Sequence, residues 1–133
     1  ESWAEKGATI APLAWRGHKL GILVCADMYP AEISARLAAQ GTAVLLSPAA
    51  WGPGLHEPEG EWEARSIETK LPVYVCNRTG ADRTLDFRGA SSTVVVNGKR
   101  LLEYKEPDPV LLLVDVDQNW LPRQGTFTNF PFS

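Results

Sequence analysis

Two cysteines are the strongest candidate nucleophiles among the 133 residues, and Cys25 has the more suggestive position. It ends the apolar run Lys19–Cys25 and precedes a short loop that leads to Pro30. Strand ends are where α/β proteins build sites, and backbone N–H groups there can stabilise a thiolate or an oxyanion. Cys25 is therefore a candidate nucleophile, although a small buried hydrophobic residue is the alternative. Cys76 ends a similar strand, and we expect it in the core.

A cysteine nucleophile needs a base, and histidine is the usual one. His18 falls in a predicted turn, and an extended strand would separate it from Cys25 by roughly 20 Å. His56 falls in a loop rich in Pro and Gly, and no pattern fixes it near Cys25. Cys–His catalysis is therefore weakly supported. No Cys/His pair has the spacing of metal ligands, so we expect no metal and no cofactor.

The elements that must position Cys25 are predicted as alternating strands and helices. Apolar periodicity and the Gly and Pro positions give strands at 8–15, 19–25, 43–47, 72–76, 93–96, 100–104 and 110–116, and helices at 31–40 and 61–70. The apolar run 19–25 predicts a central strand that is buried on both faces. Residues 19–47 form a strand–helix–strand unit, which favours a parallel pair. The order predicts an α/β fold (α+β in some schemes) with a mixed sheet and about two helices.

Composition excludes several classes of protein. A net charge of -3 and the lack of a Lys/Arg cluster argue against nucleic acid as the main partner. The apolar runs are too short to span a bilayer, and no secretory signal pattern opens the chain. Two cysteines are too few for a disulfide scaffold, which indicates a reducing compartment, and we expect a cytoplasmic protein. The chain begins at Glu1 rather than Met, so we expect a processed protein or a piece of a larger one.

Several sequence blocks occur together in an order that points to one family. They include residues 21–30 and 45–51 around Cys25, and then residues 62–68, 73–80, 87–98 and 110–117. Together they resemble the nucleophile region and the following segments of the carbon–nitrogen hydrolase (nitrilase) superfamily. The resemblance covers residues 7–117.

This resemblance implies an αββα sandwich, of which residues 1–117 would be the C-terminal half and residues 118–133 an aromatic tail without regular structure. It also implies a Glu–Lys–Cys triad that cleaves a small amide, carbamoyl compound or nitrile through a thioester or thioimidate. By position, Cys25 is the nucleophile, and the backbone N–H of Ala26 is the oxyanion donor. Ala26-Asp27 replaces the Trp-Glu that is typical of true nitrilases, which favours the amidase or carbamoylase branches.

Two members of the implied triad are missing from the sequence. In the family, the base glutamate and the lysine precede the cysteine by tens of residues. Lys6 and Lys19 lie too close to Cys25 and are interpreted as surface lysines. Glu1 falls near the position of a second glutamate that helps to place the substrate in many members. We therefore expect the isolated chain to be inactive, and the alternative is a non-catalytic truncated relative that acts as a binding or assembly module.

The resemblance also suggests residues around the nucleophile. Those predicted to line the substrate pocket are Trp51, Tyr29 and His56. Asp27 and Arg36 are expected either to pair beneath the loop and support Cys25, or to remain apart while Arg36 pairs with Glu32. Asn77 is expected to cap a strand end near the site.

The expected partners follow from the same resemblance. Half a sandwich would expose an apolar sheet face, because the other half normally covers it. We predict a missing N-terminal half or a second copy of the chain on that face, and the aromatic tail is expected to join the contact. A small-molecule amide or nitrile is the expected substrate.

Overall fold

A six-stranded mixed sheet forms the framework of the computed structural model, which describes Glu5, residues 7–52 and residues 59–132. Its strands are β1 (Leu13–Trp15), β2 (His18–Ile22), β3 (Val44–Ala49), β4 (Val73–Asn77), β5 (Ser92–Val96) and β6 (Lys99–Tyr104). They lie side by side in chain order. The pairs β2–β3 and β3–β4 are parallel and the others are antiparallel. The predicted mixed sheet is therefore confirmed.

Two helices connect the parallel strands and cover one face of the sheet. They are α1 (Ala31–Ala39) and α2 (Glu61–Thr69). Leu37 of α1 and Trp62 of α2 belong to the same buried cluster as Leu45 and Val73 of the sheet. Gly21 lets α1 approach closely, because a Cβ there would lie 2.8 Å from Leu45 Cδ2 and 3.2 Å from Leu37 Cδ1. No helix within the described residues is long and apolar enough to cross a membrane.

The other face of the sheet, here called the open face, carries Leu13, Ile22, Leu46, Tyr74 and Cys76. Side chains alternate along a strand, and the strand register aligns Leu13 and Ile22 with this side. Leu13 is 55% exposed and Ile22 is 44% exposed. The prediction that residues 19–25 are buried on both faces is therefore wrong, because the helices cover only one of them.

Cys76 also lies on the open face and is exposed, so its expected place in the core is wrong. Its neighbours Val73 and Val75 point towards the helices and are buried. The apolar character of the strand therefore reflects one buried face together with one that is partly open.

Near each end of the chain, one predicted element differs from the structure. Only Leu13–Trp15 of the expected strand 8–15 pairs with β2, because Pro12 cannot donate to a ladder. Residues before it are held instead by the Gln40 side chain, whose Nε2 donates to the Ile10 carbonyl at 2.9 Å. The strand β7 (Val110–Leu113) leaves the main sheet and pairs with β8 (Thr128–Pro131). The tail is therefore not shapeless, since it contains a strand.

Candidate active site

The backbone turns sharply at Cys25, just after β2. Residues Cys25–Met28 form a single turn of 3₁₀ helix, here called the Cys25 turn. The φ angle of Cys25 is +53°, in the left-handed region. This conformation costs a residue with a Cβ about 1–2 kcal/mol. Strained residues of this kind concentrate at functional sites, which makes Cys25 a candidate on geometry as well as on sequence.

Local hydrogen bonds hold the Cys25 turn in place. The Val24 N–H donates to the Asp27 carboxylate at 2.9 Å, and the Asp27 N–H donates to the Val24 carbonyl at 3.0 Å. At the end of the turn, the Tyr29 N–H donates to the Ala26 carbonyl at 3.1 Å. Asp27 therefore supports the turn through the backbone that precedes Cys25.

Arg36 does not contribute to this support. Within the described part of the chain it forms an ion pair with neither Asp27 nor Glu32, so neither of the two expected pairings is present. The Asp27 carboxylate already accepts a short-range backbone hydrogen bond, whereas an exposed ion pair gains little free energy. Arg36, Glu32 and Asp27 instead line a surface cavity of about 560 Å³.

The Cys25 side chain is half-buried and packs against the core cluster beneath the helices. Ala26 is exposed. The N–H groups of these two residues come first in a helical turn, where no helical carbonyl is available to accept from them. Free N–H groups beside a thiol can stabilise negative charge on sulfur or on a substrate oxygen. This arrangement is suited to nucleophilic chemistry at Cys25.

Three aromatic rings extend from the Cys25 turn into the core. The Tyr29 ring centroid lies 4.8 Å from that of Trp51, and the Trp51 centroid lies 5.7 Å from that of Trp62, both with edge-to-face geometry. Tyr29 is half exposed, whereas Trp51 is 4% exposed. Trp51 is thus available to a ligand mainly through a cavity rather than across the outer surface.

Asn77, at the end of β4, fixes the backbone of Trp51. Its Oδ1 accepts from the Trp51 N–H at 2.9 Å, and its Nδ2 donates to the Trp51 carbonyl at 2.9 Å. Oδ1 also accepts from the Arg78 N–H at 3.0 Å. Asn77 therefore caps its strand end, as expected, and does so by joining it to the segment that follows β3.

A cavity of about 270 Å³ lies beyond Trp51, at the carboxyl ends of β3 and β4. Trp51, Trp62 and Asn77 form part of its wall, and the polar residues on its lining include Ser91, Arg100, Glu103 and Lys105. Arg100 pairs with Glu63 and Glu103 and lies 5.3 Å from the Trp62 ring centroid. The Ser91 hydroxyl, together with Arg100, lowers the pKa of Glu103. Sequence reasoning did not single out these charged residues, because they occur in an ordinary hairpin.

Comparison with known proteins identifies the family to which this chain belongs. The family model described as carbon–nitrogen hydrolase matches residues 1–121. The chain belongs to the carbon–nitrogen hydrolase family. It is 32% identical over 92 residues to the 2-oxoglutaramate amidase of Paenarthrobacter nicotinovorans, which is 68% of this chain and 31% of that protein. The curated relatives are covered over only 31–42% of their own length, so this carbon–nitrogen hydrolase chain spans well under half of them.

Solved structures support the same family. A nitrilase-superfamily member from Saccharomyces cerevisiae superposes with a TM-score of 0.69 at 21% identity, over 79% of this chain and 40% of its own, which shows the α/β fold. A mutant amidase from Nesterenkonia sp. AN1 is 32% identical, with a TM-score of 0.59, over 72% of this chain and 39% of its own. In that mutant, acrylamide has undergone Michael addition at the active-site cysteine.

Some residues that the sequence singled out cannot be placed in this carbon–nitrogen hydrolase fold. Glu1, Lys6 and His56 lie outside the described residues. Lys19 is exposed, and its Nζ donates to the Gln40 carbonyl at 2.8 Å, in agreement with its interpretation as a surface lysine. Among the described residues, no group of three or more His, Cys, Asp or Glu side chains could hold a metal ion.

Proposed function

We propose that this chain carries the nucleophile of an amidase-type carbon–nitrogen hydrolase, and that Cys25 is that nucleophile. One observation carries the proposal: within a chain of this family, Cys25 has a left-handed φ of +53° in the turn that directly follows a parallel strand. The amidase type is supported by curated relatives that are themselves amidases. The Ala26-Asp27 pair after the cysteine favours the same type.

The proposed reaction begins when the Cys25 sulfur, after losing its proton to a base, attacks the carbonyl carbon of a small amide. The backbone N–H of Ala26 donates to the oxygen of the tetrahedral intermediate as negative charge develops there. The carbon–nitrogen bond then breaks, the amine leaves with a proton from the base, and a thioester remains. Water attacks the thioester, releases the carboxylic acid and returns the thiol.

The base and a cation near the oxyanion are proposed to come from outside the described residues. In the family that the chain resembles, the base is a glutamate and the cation is a lysine, and both precede the cysteine. The curated relatives extend well beyond the part that this chain covers, which supports a source in a further segment or a second chain. We therefore propose that the 133-residue chain alone does not hydrolyse amides at an enzymatic rate.

The open face supports a partner layer in the active protein. Leu13 and Ile22 are about half exposed there, and patches of adjacent apolar side chains usually mark a contact surface. We propose that this face packs against the rest of a complete hydrolase or against a second copy. The C-terminal residues already take part on this side, because the Tyr74 hydroxyl donates to the Trp120 carbonyl, and Trp120 contacts Trp15 and His18.

Iodoacetamide labelling of the two cysteines tests the nucleophile. Cys76 is exposed and Cys25 is half-buried, so access alone predicts faster labelling of Cys76. An activated thiol at Cys25 reverses this order, because the thiolate is the reactive form. We expect Cys25 to react at least about tenfold faster near neutral pH, as measured by mass spectrometry of the two peptides.

The variants Cys25→Ala and Cys76→Ala serve as matched controls, since each leaves a single thiol. The fast phase should vanish in the first and persist in the second. Equal slow rates at both cysteines in the native chain would instead favour a non-catalytic binding or assembly module. Rapid amide hydrolysis by the purified chain would contradict the proposal that base and cation are supplied from elsewhere.

A further inference from the structure

We propose that Arg65 is a positioning residue for the Cys25 turn, acting through the carbonyl oxygen of Tyr29. This inference rests on the proposed function, because it concerns the geometry of the same nucleophile. It adds a role for a charged residue of α2 whose hydrogen bonds go to Tyr29 and Glu68 rather than to the thiol or the proposed oxyanion donor. Three sets of contacts support it.

The burial of Arg65 is the first observation. The residue is only 8% exposed, which is unusual for a guanidinium. A buried charge is tolerated only when it is paired and hydrogen-bonded. Its Nη2 donates to Glu68 Oε1 at 3.2 Å, and its Nη1 donates to the Tyr29 carbonyl at 3.2 Å. One Nη atom of Arg65 therefore binds a residue of its own helix, and the other binds the segment that follows the Cys25 turn.

The position of the Tyr29 carbonyl is the second observation. It lies between the Cys25 turn and α1, and Pro30 follows it. The first turn of α1 begins one residue later, with the Ile33 N–H donating to the Pro30 carbonyl at 3.2 Å. Among the described residues, Arg65 is the donor to the Tyr29 carbonyl. The guanidinium thus satisfies a backbone acceptor that the adjoining helix does not use.

The path from Tyr29 back to the site is the third observation. The Tyr29 N–H donates to the Ala26 carbonyl at 3.1 Å, so Arg65 is two hydrogen bonds away from the residue proposed to supply the oxyanion donor. The same helix also supports the Tyr29 ring, because Trp62 packs on Trp51 and Trp51 packs on Tyr29. One face of α2 therefore fixes both the backbone and the ring at the end of the Cys25 turn.

The test compares Cys25 labelling by iodoacetamide in the full 133-residue chain and three variants. Arg65→Met removes both hydrogen bonds, and we expect labelling about tenfold slower, since small misplacements of reacting groups are costly in rate. Arg65→Lys has a single ammonium that cannot hold Tyr29 and Glu68 together, and we expect an intermediate rate. Glu68→Gln keeps the bond to Tyr29, and its amide oxygen can still accept from Arg65. Because the Glu68 side chain is 46% exposed, water screens its charge, and we expect a rate within about twofold of the native chain.

The outcomes separate positioning from general stability. Labelling is measured well below each variant's melting temperature, with the Cys76 rate in the same sample as the internal reference. A purely structural Arg65 predicts lower melting temperatures with an unchanged Cys25 rate, which would overturn the inference. If Arg65→Met does not fold, the other two variants decide the question. A native Cys25 labelling rate in Arg65→Lys would overturn the inference, and so would slowing in Glu68→Gln that is as large as in Arg65→Lys.

The proposed function and this inference also fail in different ways. A native chain in which Cys25 is no faster than Cys76 overturns both, since there is then no activated thiol to position. A fast Cys25 whose rate is the same in all three variants overturns only the role of Arg65.

Discussion

Cys25 follows β2 and Cys76 lies near the end of β4, the two strands that flank β3 in one sheet, yet their surroundings differ. At Cys25 the backbone leaves the extended conformation, enters the left-handed region and forms a 3₁₀ turn. At Cys76 the backbone stays in register with β3, opposite Pro48, and the strand continues to Asn77. Cys25 packs on the core beneath the helices, whereas Cys76 is exposed on the open face.

This difference shows that the candidate nucleophile is defined by backbone geometry rather than by residue type. Both side chains are thiols near the carboxyl end of a strand. Only Cys25 lies at the start of a helical turn, where N–H groups are free to interact with negative charge. Three predictions test this contrast, beginning with the largest expected effect.

The end of β4 depends on the Asn77 side chain rather than on a tight turn. Asn77→Ala removes three hydrogen bonds, two to Trp51 and one to Arg78. We expect the free energy of unfolding in urea to fall by about 1–3 kcal/mol, because partly buried backbone groups lose their partners. The control is Asn119→Ala, at an exposed residue, which should change stability by less than about 0.5 kcal/mol. Equal effects of the two substitutions would contradict this account of β4.

Glycine substitution should have opposite signs at the two cysteines. At Cys25 the left-handed φ favours glycine, so Cys25→Gly should be more stable than Cys25→Ala by about 1 kcal/mol. At Cys76 the backbone is an ordinary strand, so Cys76→Gly should be less stable than Cys76→Ala by about 0.5–1 kcal/mol. Urea unfolding of the four variants measures both differences. The same sign at both positions would mean that Cys25 carries no backbone strain.

The third effect lies on the open face near Cys76 and is seen only at high pH. Burial and the negative charge of Asp117 raise the pKa of Tyr74 from 10.0 to about 12. Since the folded state holds this proton more tightly than the unfolded state, the resulting stabilisation is present below pH 10 and is lost as pH rises from 10 towards 12. Tyr74→Phe should lack this loss. The free energies of unfolding of the native chain and of Tyr74→Phe, measured over that pH range, should therefore converge. A constant difference between them would contradict the raised pKa of Tyr74.

The sequence predicted the local elements around the site well. The helices begin at the predicted residues and end within one residue of the predicted limits, because Pro30, Gly41 and Gly60 mark their boundaries. The parallel pairing of β2 with β3 follows from the length of the connection between them. The turn at Asn97-Gly98 also has a local cause, since positive φ values at both residues suit Asn followed by Gly.

What the sequence missed depends on contacts between distant residues. Burial of Cys76 depends on what covers the open face, which the strand itself does not determine. The pairing of β7 with β8 joins Leu111 to Phe130 across an intervening loop, and neither segment has a pattern that identifies its partner. The hydrogen bond from Arg65 to the Tyr29 carbonyl likewise joins residues that are far apart in the sequence. The positive φ of Cys25 was also missed, because cysteine has no conformational preference that would reveal it.

The strand order of the main sheet has a consequence for how the chain acquires its structure. Since β1 to β6 lie side by side in the order of the chain, each strand finds its partner in the segment made just before it. The connections β1–β2 and β5–β6 are tight turns that cost little entropy to close, whereas β2, β3 and β4 are joined through helices, and parallel pairing of that kind is slow. The two hairpins are therefore the parts of the sheet that close most readily. Cys25 follows one of them, and its flanking strand β3 pairs only across the longer connection that contains α1.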